Sequence, residues 1–376
     1  MKALIVYAKA GAGHRRAAEA VFAAFKRRGQ EKDTVLIDCL DYTSPGFKAF
    51  YPQVYMFIVR FFSFFWAVIY YLLDNRIVYS LIRPLRRLTN CLSSKRFVAF
   101  LKKENPKIVI STQFFASEVV AALKRKKEID STLISVVTDF GAHTFWESQD
   151  VDIFVAAGEA TKKDLLLRNI PEEKIKVLGI PIEPPPREFD QRQLRKEAGL
   201  RQDSFVVLIA GGGFGVGPIK ELVFSLEKLE DEIRNKVQLI VVCSRNKTLY
   251  AEMKNICSGL KIDAKVFGFV PDLYKMMLVS KVIISKSGGL TTSESLACGL
   301  PMIIIAPIPG QESKNCDLLV KKGAGVRINR ALQAKEVIEE LIKTPKKLEQ
   351  MRSEALSLAR PNSADDIATL ANSLIV

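Results

Sequence analysis

Short apolar runs alternate with longer amphipathic segments along most of the chain, which is the pattern of repeated strand–helix–strand units. In the first half, apolar runs predict strands at 4–7, 35–37, 108–111, 133–137 and 153–156. In the second half, they predict strands at 205–209, 239–242, 265–267, 282–284 and 302–305. Strands that are separated by helices form parallel sheets covered on both faces, so the sequence predicts an α/β protein.

A proline-rich stretch separates the two sets of strands. Residues 179–187 read Gly-Ile-Pro-Ile-Glu-Pro-Pro-Pro-Arg, and consecutive prolines fit neither a helix interior nor a central strand. We therefore expect two Rossmann-like domains, at 1–182 and 188–358, that face each other across a cleft. In sheets of this kind, ligands bind at the carboxyl ends of the strands.

One window of the first half is too apolar and too aromatic for an ordinary surface helix. Residues 54–73 have about the length of a membrane-spanning helix, ~20 residues. However, Arg60 interrupts the window, and a spanning helix here would split the first domain across the membrane. Aromatic side chains suit the headgroup boundary better than the bilayer centre. The aromatic residues that we expect at a membrane surface are Phe61, Phe62, Phe65 and Trp66; a buried core helix is the alternative.

Basic residues follow this window and dominate the charge of the first half. The net charge is +15, and residues 1–180 hold 28 Lys and Arg against 18 Asp and Glu. An aromatic segment flanked by basic residues is typical of a monotopic anchor on an anionic leaflet, with Arg83, Arg86 and Arg87 as candidates. Nucleic acid could also attract this charge, but no recognised nucleic-acid motif accompanies it, so we expect no nucleic-acid partner.

The cysteines and the N-terminus favour a cytoplasmic protein. Six cysteines are scattered without a Cys-x-x-Cys pair, which predicts neither a zinc site nor a disulfide framework. The first residues run directly into a short apolar strand and lack the features of a signal peptide. Asp150-Val-Asp152 has the form of a metal-binding pair, but it immediately precedes a strand. We interpret it as a solvated turn and expect neither an obligatory metal nor a cofactor.

The most informative motif is Ser-Lys-Ser-Gly-Gly-Leu-Thr-Thr-Ser-Glu at residues 285–294. It predicts a buried strand, a glycine turn and a helix start, where backbone amides and the helix dipole bind phosphate. Glu294 would lie about one turn inside that helix, within reach of the hydroxyls of a ribose. A sharp turn alone would also use Gly288 and Gly289, but a nucleoside diphosphate fits both features.

Both histidines of the chain follow predicted strands. His14 ends Ala8-Lys-Ala-Gly-Ala-Gly-His, with Gly11 and Gly13 just before the predicted helix, and His143 lies in Thr138-Asp-Phe-Gly-Ala-His-Thr-Phe-Trp146. A histidine at a helix N-terminus has a lowered pKa, so His14 is a candidate general base. Asp139 is the second candidate, as the base or as the group that orients a histidine. A hydrogen bond that stabilises the loop is the alternative for His14, and capping or stacking on Trp146 is the alternative for His143.

The succession Gly-Gly, Glu294, Gly299-Leu-Pro301, Pro309-Gly-Gln-Glu312 and Asn315 resembles the nucleotide-sugar signature of diacylglycerol glycosyltransferases. That family includes monogalactosyldiacylglycerol synthases and processive diacylglycerol glucosyltransferases, and the lipid I transferase of peptidoglycan synthesis is a more distant relative. The resemblance spans nearly the whole chain and is weakest from 51 to 103. It implies the GT-B fold, with a final helix at about 364–374, in a segment 360–376, that returns to the first domain.

The resemblance also implies an inverting transfer of a hexose from a UDP-sugar to membrane diacylglycerol by a peripheral protein on the cytoplasmic face. It places the acceptor beside Gly11, Gly13 and Trp146, and the catalytic groups at His14, Asp139 and His143. A glycine-rich loop after the first strand of the second domain would assist the leaving phosphate. The implied donor-binding residues are Gly212, Gly213, Phe214, Arg245, Phe269, Val270, Ser287, Gly288, Gly289, Thr291, Glu294, Gln311, Glu312 and Asn315.

Three alternatives share part of these features. A transferase for a prenyl-linked acceptor would use the same cleft. A nucleotide-sugar 2-epimerase would share Glu294 and the glycine turn but would not need the aromatic, basic segment at 54–107. A membrane-binding protein without catalysis would need that segment but neither His14 nor Glu294.

Overall fold

The computed structural model describes residues 2–9, 11–186, 188–212 and 217–374, and within helices it leaves some side chains undescribed. It contains two six-stranded sheets in which every strand pair is parallel. The predicted α/β class is therefore confirmed.

Twelve strands form the sheets in the described part of the chain. They are β1 Ala3–Tyr7, β2 Thr34–Asp38, β3 Ile108–Ser111, β4 Thr132–Val136, β5 Ile153–Ala156, β6 Ile175–Val177, β7 Phe205–Ala210, β8 Val237–Val242, β9 Asp263–Phe267, β10 Val282–Ser285, β11 Met302–Ile305 and β12 Gly325–Ile328. The strand order is β2-β1-β3-β4-β5-β6 in the first sheet and β12-β11-β10-β7-β8-β9 in the second. The sequence predicted ten of them and missed β6 and β12, which are short outer strands with a charged residue.

The helices that connect and cover the strands follow in chain order. They are α1 Ala12–Arg27, α2 Pro45–Phe61, α3 Ser63–Asp74, α4 Arg76–Ser93, α5 Lys95–Glu104, α6 Phe114–Arg125, α7 Glu159–Leu167, α8 Gln191–Glu197, α9 Ile219–Glu227, α10 Asp231–Arg234, α11 Lys247–Ser258, α12 Leu273–Val279, α13 Gly289–Ala297, α14 Ser313–Lys321, α15 Gln333–Lys343, α16 Pro345–Leu358 and α17 Ser363–Ser373.

Contacts divide the chain into two units. Unit 1 holds 1–184, 308–314 and 360–376, and unit 2 holds 185–307 and 315–359. The inner strands of each sheet are almost entirely apolar and buried, because parallel strands are covered by helices on both faces. In unit 1, α17 packs against α1, where Arg27 pairs with Asp365 at 2.8 Å. Residues 308–314, which the sequence assigned to the second domain, have their contacts in unit 1.

The aromatic window at 54–73 is not one helix. It is divided at Phe62, whose φ of −130° lies outside the helical region, between α2 and α3. Among the described residues, no helix combines the length and the hydropathy that crossing a bilayer requires.

Candidate active site

The predicted donor residues of unit 2 lie at one edge of its sheet. The strands β10, β7, β8 and β9 are consecutive neighbours in this sheet, and each ends at the same edge because all are parallel. The loops after these strands carry, in this order, the glycine turn, the glycine-rich loop, Arg245 and Phe269. Parallel sheets bind ligands at this edge, so the topology gathers residues from four distant parts of the sequence into one candidate site.

The junction of β10 and α13 has the geometry of a phosphate site. Gly288 is the extended N-cap residue, and no side chain caps α13, so the first amides of the helix remain available to an anion. Ser287 is buried, and its carbonyl oxygen accepts a hydrogen bond from Nδ2 of Asn315 at 2.8 Å, which fixes the turn. Thr291 is half-buried in the first turn, and Glu294 follows at 2% exposure.

The glycine-rich loop after β7 depends on a left-handed residue. Gly212 has φ +65°, which costs an L-residue with a side chain about 1–2 kcal/mol. A Cβ on Gly212 would meet no atom within 4 Å, so backbone conformation rather than space requires this glycine. Gly213 and Phe214, which were predicted to bind the donor, lie outside the described residues.

Sequence reasoning missed Lys286 in this site. Lys286 helps to line a small cavity at the ends of β7 and β10, together with Gly211, Gly217 and Ser285. A lysine ammonium is a cation of the kind that binds phosphate groups. The sequence could have indicated Lys286, because it directly precedes the glycine turn that predicted a phosphate site.

The structure brings Arg245 and Phe269 together. The guanidinium of Arg245 lies 4.9 Å from the centroid of the Phe269 ring, which is a cation–π contact. Phe269 is 56% exposed and Val270 is half-buried. An exposed aromatic ring beside a fixed cation is a suitable wall for a base, in the place where the resemblance implies that uracil binds.

Gln311 and Glu312 lie in the 308–314 segment of unit 1. Oε2 of Glu312 accepts a hydrogen bond from the Ile308 amide at 2.8 Å, and the Glu312 amide donates to the Ile308 carbonyl at 2.9 Å. Glu312 is therefore buried in a tight turn that it closes itself, while Gln311 is half-buried.

In unit 1, the structure fixes the tautomer of His14, which lies in the first turn of α1. Nδ1 of His14 is 2.7 Å from the Thr112 carbonyl oxygen and 3.1 Å from Oγ1 of Thr138. A carbonyl oxygen only accepts hydrogen bonds, so Nδ1 carries the proton and Nε2 is left with a lone pair. Burial lowers the pKa of His14, although its bond to Thr112 opposes this, so the imidazole is neutral near neutral pH.

The other predicted acceptor-side residues are sequence neighbours of His14 or of its partner Thr138. Asp139 directly follows Thr138 and is half-buried. Gly11 is the extended N-cap residue of α1, and a Cβ on Gly11 or Gly13 would meet nothing within 4 Å. Neither glycine has a positive φ, so neither packing nor backbone conformation requires these glycines. The open space beside both glycines is compatible with the predicted approach of an acceptor to the backbone.

His143 lies in the loop after β4, where the backbone holds its ring. Its Nε2 donates to the Tyr70 carbonyl oxygen at 3.0 Å, and its Nδ1 accepts from the Phe145 amide at 3.1 Å. Both ring nitrogens are therefore used by the backbone, and burial lowers the pKa of His143 to about 4. This geometry favours the capping alternative. The His143 ring contacts the rings of Tyr70 and Phe145 in tilted arrangements, and among the described ring contacts it has none with Trp146.

Two further predicted residues pack against the fold of unit 1. Trp146, predicted in the acceptor loop, is 6% exposed in the core of unit 1 and packs edge-on against Phe114. Arg86, predicted at the membrane, has its guanidinium 4.4 Å from the centroid of the Phe145 ring and paired with Glu118 at 2.7 Å. Arg86 therefore attaches α4 to the core, and Arg83 is half-buried beside it.

Helices α2 to α4 present an unusual apolar surface. Of the 24 exposed large apolar side chains among the described residues, 15 lie between 50 and 92. Phe64 is 82% exposed, and Phe62 and Phe65 are also exposed, while Trp66 is half-buried. One stripe follows the helical period of α4, and we call it the apolar face of α4: Ile77, Leu81, Leu85, Leu88 and Leu92. The side chains of Phe61 and Arg87 lie outside the described ones.

Both carboxylates of the Asp150-Val-Asp152 pair form salt bridges with basic side chains of the protein itself. Asp150 pairs with Arg125 and Asp152 pairs with Lys124, and both partners belong to α6. Oδ2 of Asp152 also accepts from the Leu133 amide at 2.6 Å. These carboxylates attach α6 to the sheet of unit 1.

Comparison with solved structures confirms the expected GT-B fold. MurG of Acinetobacter baumannii covers 99% of this chain and 100% of its own length, with a TM-score of 0.63 and 16% identity. A UDP-GlcNAc 2-epimerase of Neisseria meningitidis bound to UDP-GlcNAc gives the same TM-score, at 15% identity over 99% of this chain and 100% of its own. At such identities the likeness shows the fold alone, and it does not separate transferases from epimerases.

Sequence comparison distinguishes transferases from epimerases for this chain. Residues 14–182 match the family model for monogalactosyldiacylglycerol (MGDG) synthase, and residues 206–371 match the C-terminal domain of glycosyltransferase family 28. The processive diacylglycerol beta-glucosyltransferases of Bacillus cereus and Bacillus thuringiensis are each 30% identical over 97% of this chain and 92% of their own length. The chain therefore belongs to the diacylglycerol glycosyltransferase family.

Proposed function

We propose that this glycosyltransferase moves a hexose from a UDP-sugar to the hydroxyl of membrane diacylglycerol, with inversion at the anomeric carbon. The observation that carries the proposal is the fixed tautomer of His14, which leaves Nε2 as a neutral proton acceptor at the carboxyl edge of unit 1. The names of the sequence relatives supply the acceptor and the donor class.

The proposed chemistry is a single displacement. Nε2 of His14 takes the proton of the acceptor hydroxyl, whose oxygen forms the new bond to the anomeric carbon while the bond to UDP breaks. UDP leaves with the electron pair, and the amides at the start of α13 and the ammonium of Lys286 stabilise its diphosphate. Since these groups supply the positive charge, we propose that no metal is required, and turnover should persist in excess EDTA.

We propose that Glu294 holds the ribose, that the Phe269 and Val270 region holds uracil, and that Gln311, Glu312 and Asn315 contact the sugar. Burial of Glu294 one turn inside α13 supports its role, because a buried carboxylate is a strong acceptor for two neighbouring hydroxyls. Asp139 remains the second candidate for the base.

We further propose that the apolar face of α4, with the exposed aromatic residues of α2 and α3, docks on an anionic membrane. Soluble surfaces rarely expose so many large apolar side chains in one region. Burying one leucine side chain contributes about 1.5–3 kcal/mol, and a stripe of five provides firm attachment. None of the described cysteines forms a disulfide bond, which favours the reducing, cytoplasmic side of the membrane.

The test is transfer from UDP-glucose or UDP-galactose to vesicles that contain either diacylglycerol or a prenyl-diphosphate sugar, with the products read by mass. Hexosyl-diacylglycerol is the expected product, and its rate should rise when the vesicles contain anionic lipid. A product found only with the prenyl-linked acceptor would contradict the proposed acceptor. Epimerisation of the UDP-sugar without any lipid product would contradict transfer itself.

The membrane surface has its own test. The double substitution Leu81→Asp and Leu85→Asp should weaken sedimentation with anionic vesicles by more than about tenfold, since each leucine loses its transfer free energy. Leu167→Asp is the matched control, because Leu167 is 67% exposed on α7, a helix that is not part of this surface. Equal vesicle binding by the double variant and the control would contradict the proposed surface.

A further inference from the structure

Two contacts hold the 308–314 segment within unit 1. Near its start, Gly310 adopts φ +80° against the ring of Tyr70, in the last turns of α3. At its end, Nζ of Lys314 donates to Oδ2 of Asp164 at 2.7 Å. Between these points lie Gln311 and Glu312, which belong to the proposed donor site.

The contact with Tyr70 is unusually close. A Cβ on Gly310 would lie 2.5 Å from Cδ1 and 2.8 Å from Cγ of Tyr70, so only glycine fits beneath this ring. The Gly310 amide also donates to Oγ of Ser313 at 3.0 Å, which closes the turn over the ring. The shape of the turn therefore depends on Tyr70 as well as on its own hydrogen bonds.

Tyr70 is itself held firmly from the other side. Its carbonyl oxygen accepts the Nε2 hydrogen bond of His143, and the two ring centroids are 4.3 Å apart. One turn later, Asp74 accepts from the Thr144 amide at 2.9 Å and pairs with Arg168 at 2.5 Å. These bonds fix the end of α3 on the loop between β4 and β5. That loop also contains Asp139.

The second connection reaches the same loop. Oδ2 of Asp164 accepts both from Lys314 and from the Ala142 amide, the latter at 3.0 Å. A Cβ on Gly141 would overlap the side chain of Lys314, so Gly141 makes room for it. The 308–314 segment, the end of α3 and the loop of Asp139 thus form one continuous cluster of contacts.

From this cluster we infer that Tyr70 is a positioning residue, which holds the 308–314 turn in the shape that presents Gln311 and Glu312 to the sugar. The aromatic segment then has a second role besides membrane attachment, because its last turns support donor binding. The inference rests on the proposed function for the identity of the donor, but the contact between Tyr70 and Gly310 does not.

The test compares Tyr70→Ala and Tyr70→Phe with Phe64→Ala, which removes an exposed ring from the same helix without touching Gly310. Hydrogen exchange of the 308–314 amides is measured without substrate. Tyr70→Ala should increase that exchange about tenfold, because the turn loses its support, while Tyr70→Phe and Phe64→Ala retain the wild-type rate. In the transfer assay, Tyr70→Ala should raise the KM for the UDP-sugar while kcat at saturating donor changes little.

Gly310→Ala examines the same contact from the other side. It should also increase hydrogen exchange in 308–314. In the double variant with Tyr70→Ala, exchange should increase by no more than the two single increases combined, because removing the ring relieves the overlap. Unchanged exchange and a donor KM within about twofold of wild type in Tyr70→Ala would overturn the inference. If the wild type itself formed no glycolipid, the proposed function would fail, and the exchange rates would still decide the role of Tyr70.

Discussion

The carboxyl edges of the two sheets differ in how their candidate sites are built. In unit 2, the site consists largely of backbone: an uncapped helix start at Gly288 and a left-handed Gly212. In unit 1, it consists of side chains held by distant partners, such as His14 on the Thr112 carbonyl. A bound diphosphate needs several amides at once, whereas a general base needs one imidazole with a defined tautomer. The difference predicts that substitutions in the two units will affect different kinetic constants.

The largest expected effect is that of His14→Ala. Loss of a general base lowers kcat by about 10²–10⁴-fold, while the affinity for UDP should stay near the wild-type value. In the wild type, kcat/KM should fall as the pH drops through the pKa of His14, which lies below its usual value. Turnover gives the first result and calorimetry gives the second. A parallel loss of UDP affinity would remove the distinction between the two units.

Glu294→Ala should have the opposite signature. A hydrogen bond to a charged group contributes about 1.5–3 kcal/mol, so UDP should bind about 10–100-fold more weakly. The value of kcat at saturating donor should change far less. Calorimetric titration with UDP measures the loss, and Glu294→Gln is the matched variant that retains an acceptor oxygen. Unchanged UDP binding in Glu294→Ala would contradict the ribose role.

Two glycines provide a matched pair across the units. Gly212→Ala forces an L-residue into the left-handed region, and the cost of about 1–2 kcal/mol should appear as a donor KM raised by about 5–30-fold. Gly13→Ala lies in α1 without strain or overlap, so thermal stability should be kept or improved. Its expected defect is a raised KM for the lipid acceptor. Measuring both KM values for both variants tests the assignment, and interchanged defects would contradict it.

The smallest expected effect concerns His143, which is buried and neutral with a pKa of about 4. Because the unfolded chain binds this proton near the ordinary pKa of about 6.5, stability is full above that value and falls as the pH decreases toward 4. At about pH 5 the loss is about 2 kcal/mol. His143→Gln should reduce the difference in melting temperature between about pH 7 and about pH 5 by a few degrees. An unchanged difference would show that His143 is not buried in its neutral form.

Features that depend on neighbouring residues could be predicted from the sequence, and features that depend on partners distant in the sequence could not. The α/β class and most strands followed from local apolar runs, and the phosphate turn followed from the local order of Ser287, Gly288 and Gly289. The β6 and β12 strands were missed because three or four residues with an interposed charge give no clear apolar run. The roles of His143 and Arg86 depend on partners distant in sequence, Tyr70 for the first and Glu118 for the second.

The most direct test of the account is the anomeric configuration of the lipid product that wild-type enzyme forms from UDP-glucose and diacylglycerol. UDP-glucose carries the α linkage, and a single displacement assisted by one base inverts it. Nuclear magnetic resonance of the purified glycolipid should therefore show a β-linked glucose, and His14→Ala should lose this product. An α-linked product would contradict the single displacement and, with it, the role of His14 as the one general base.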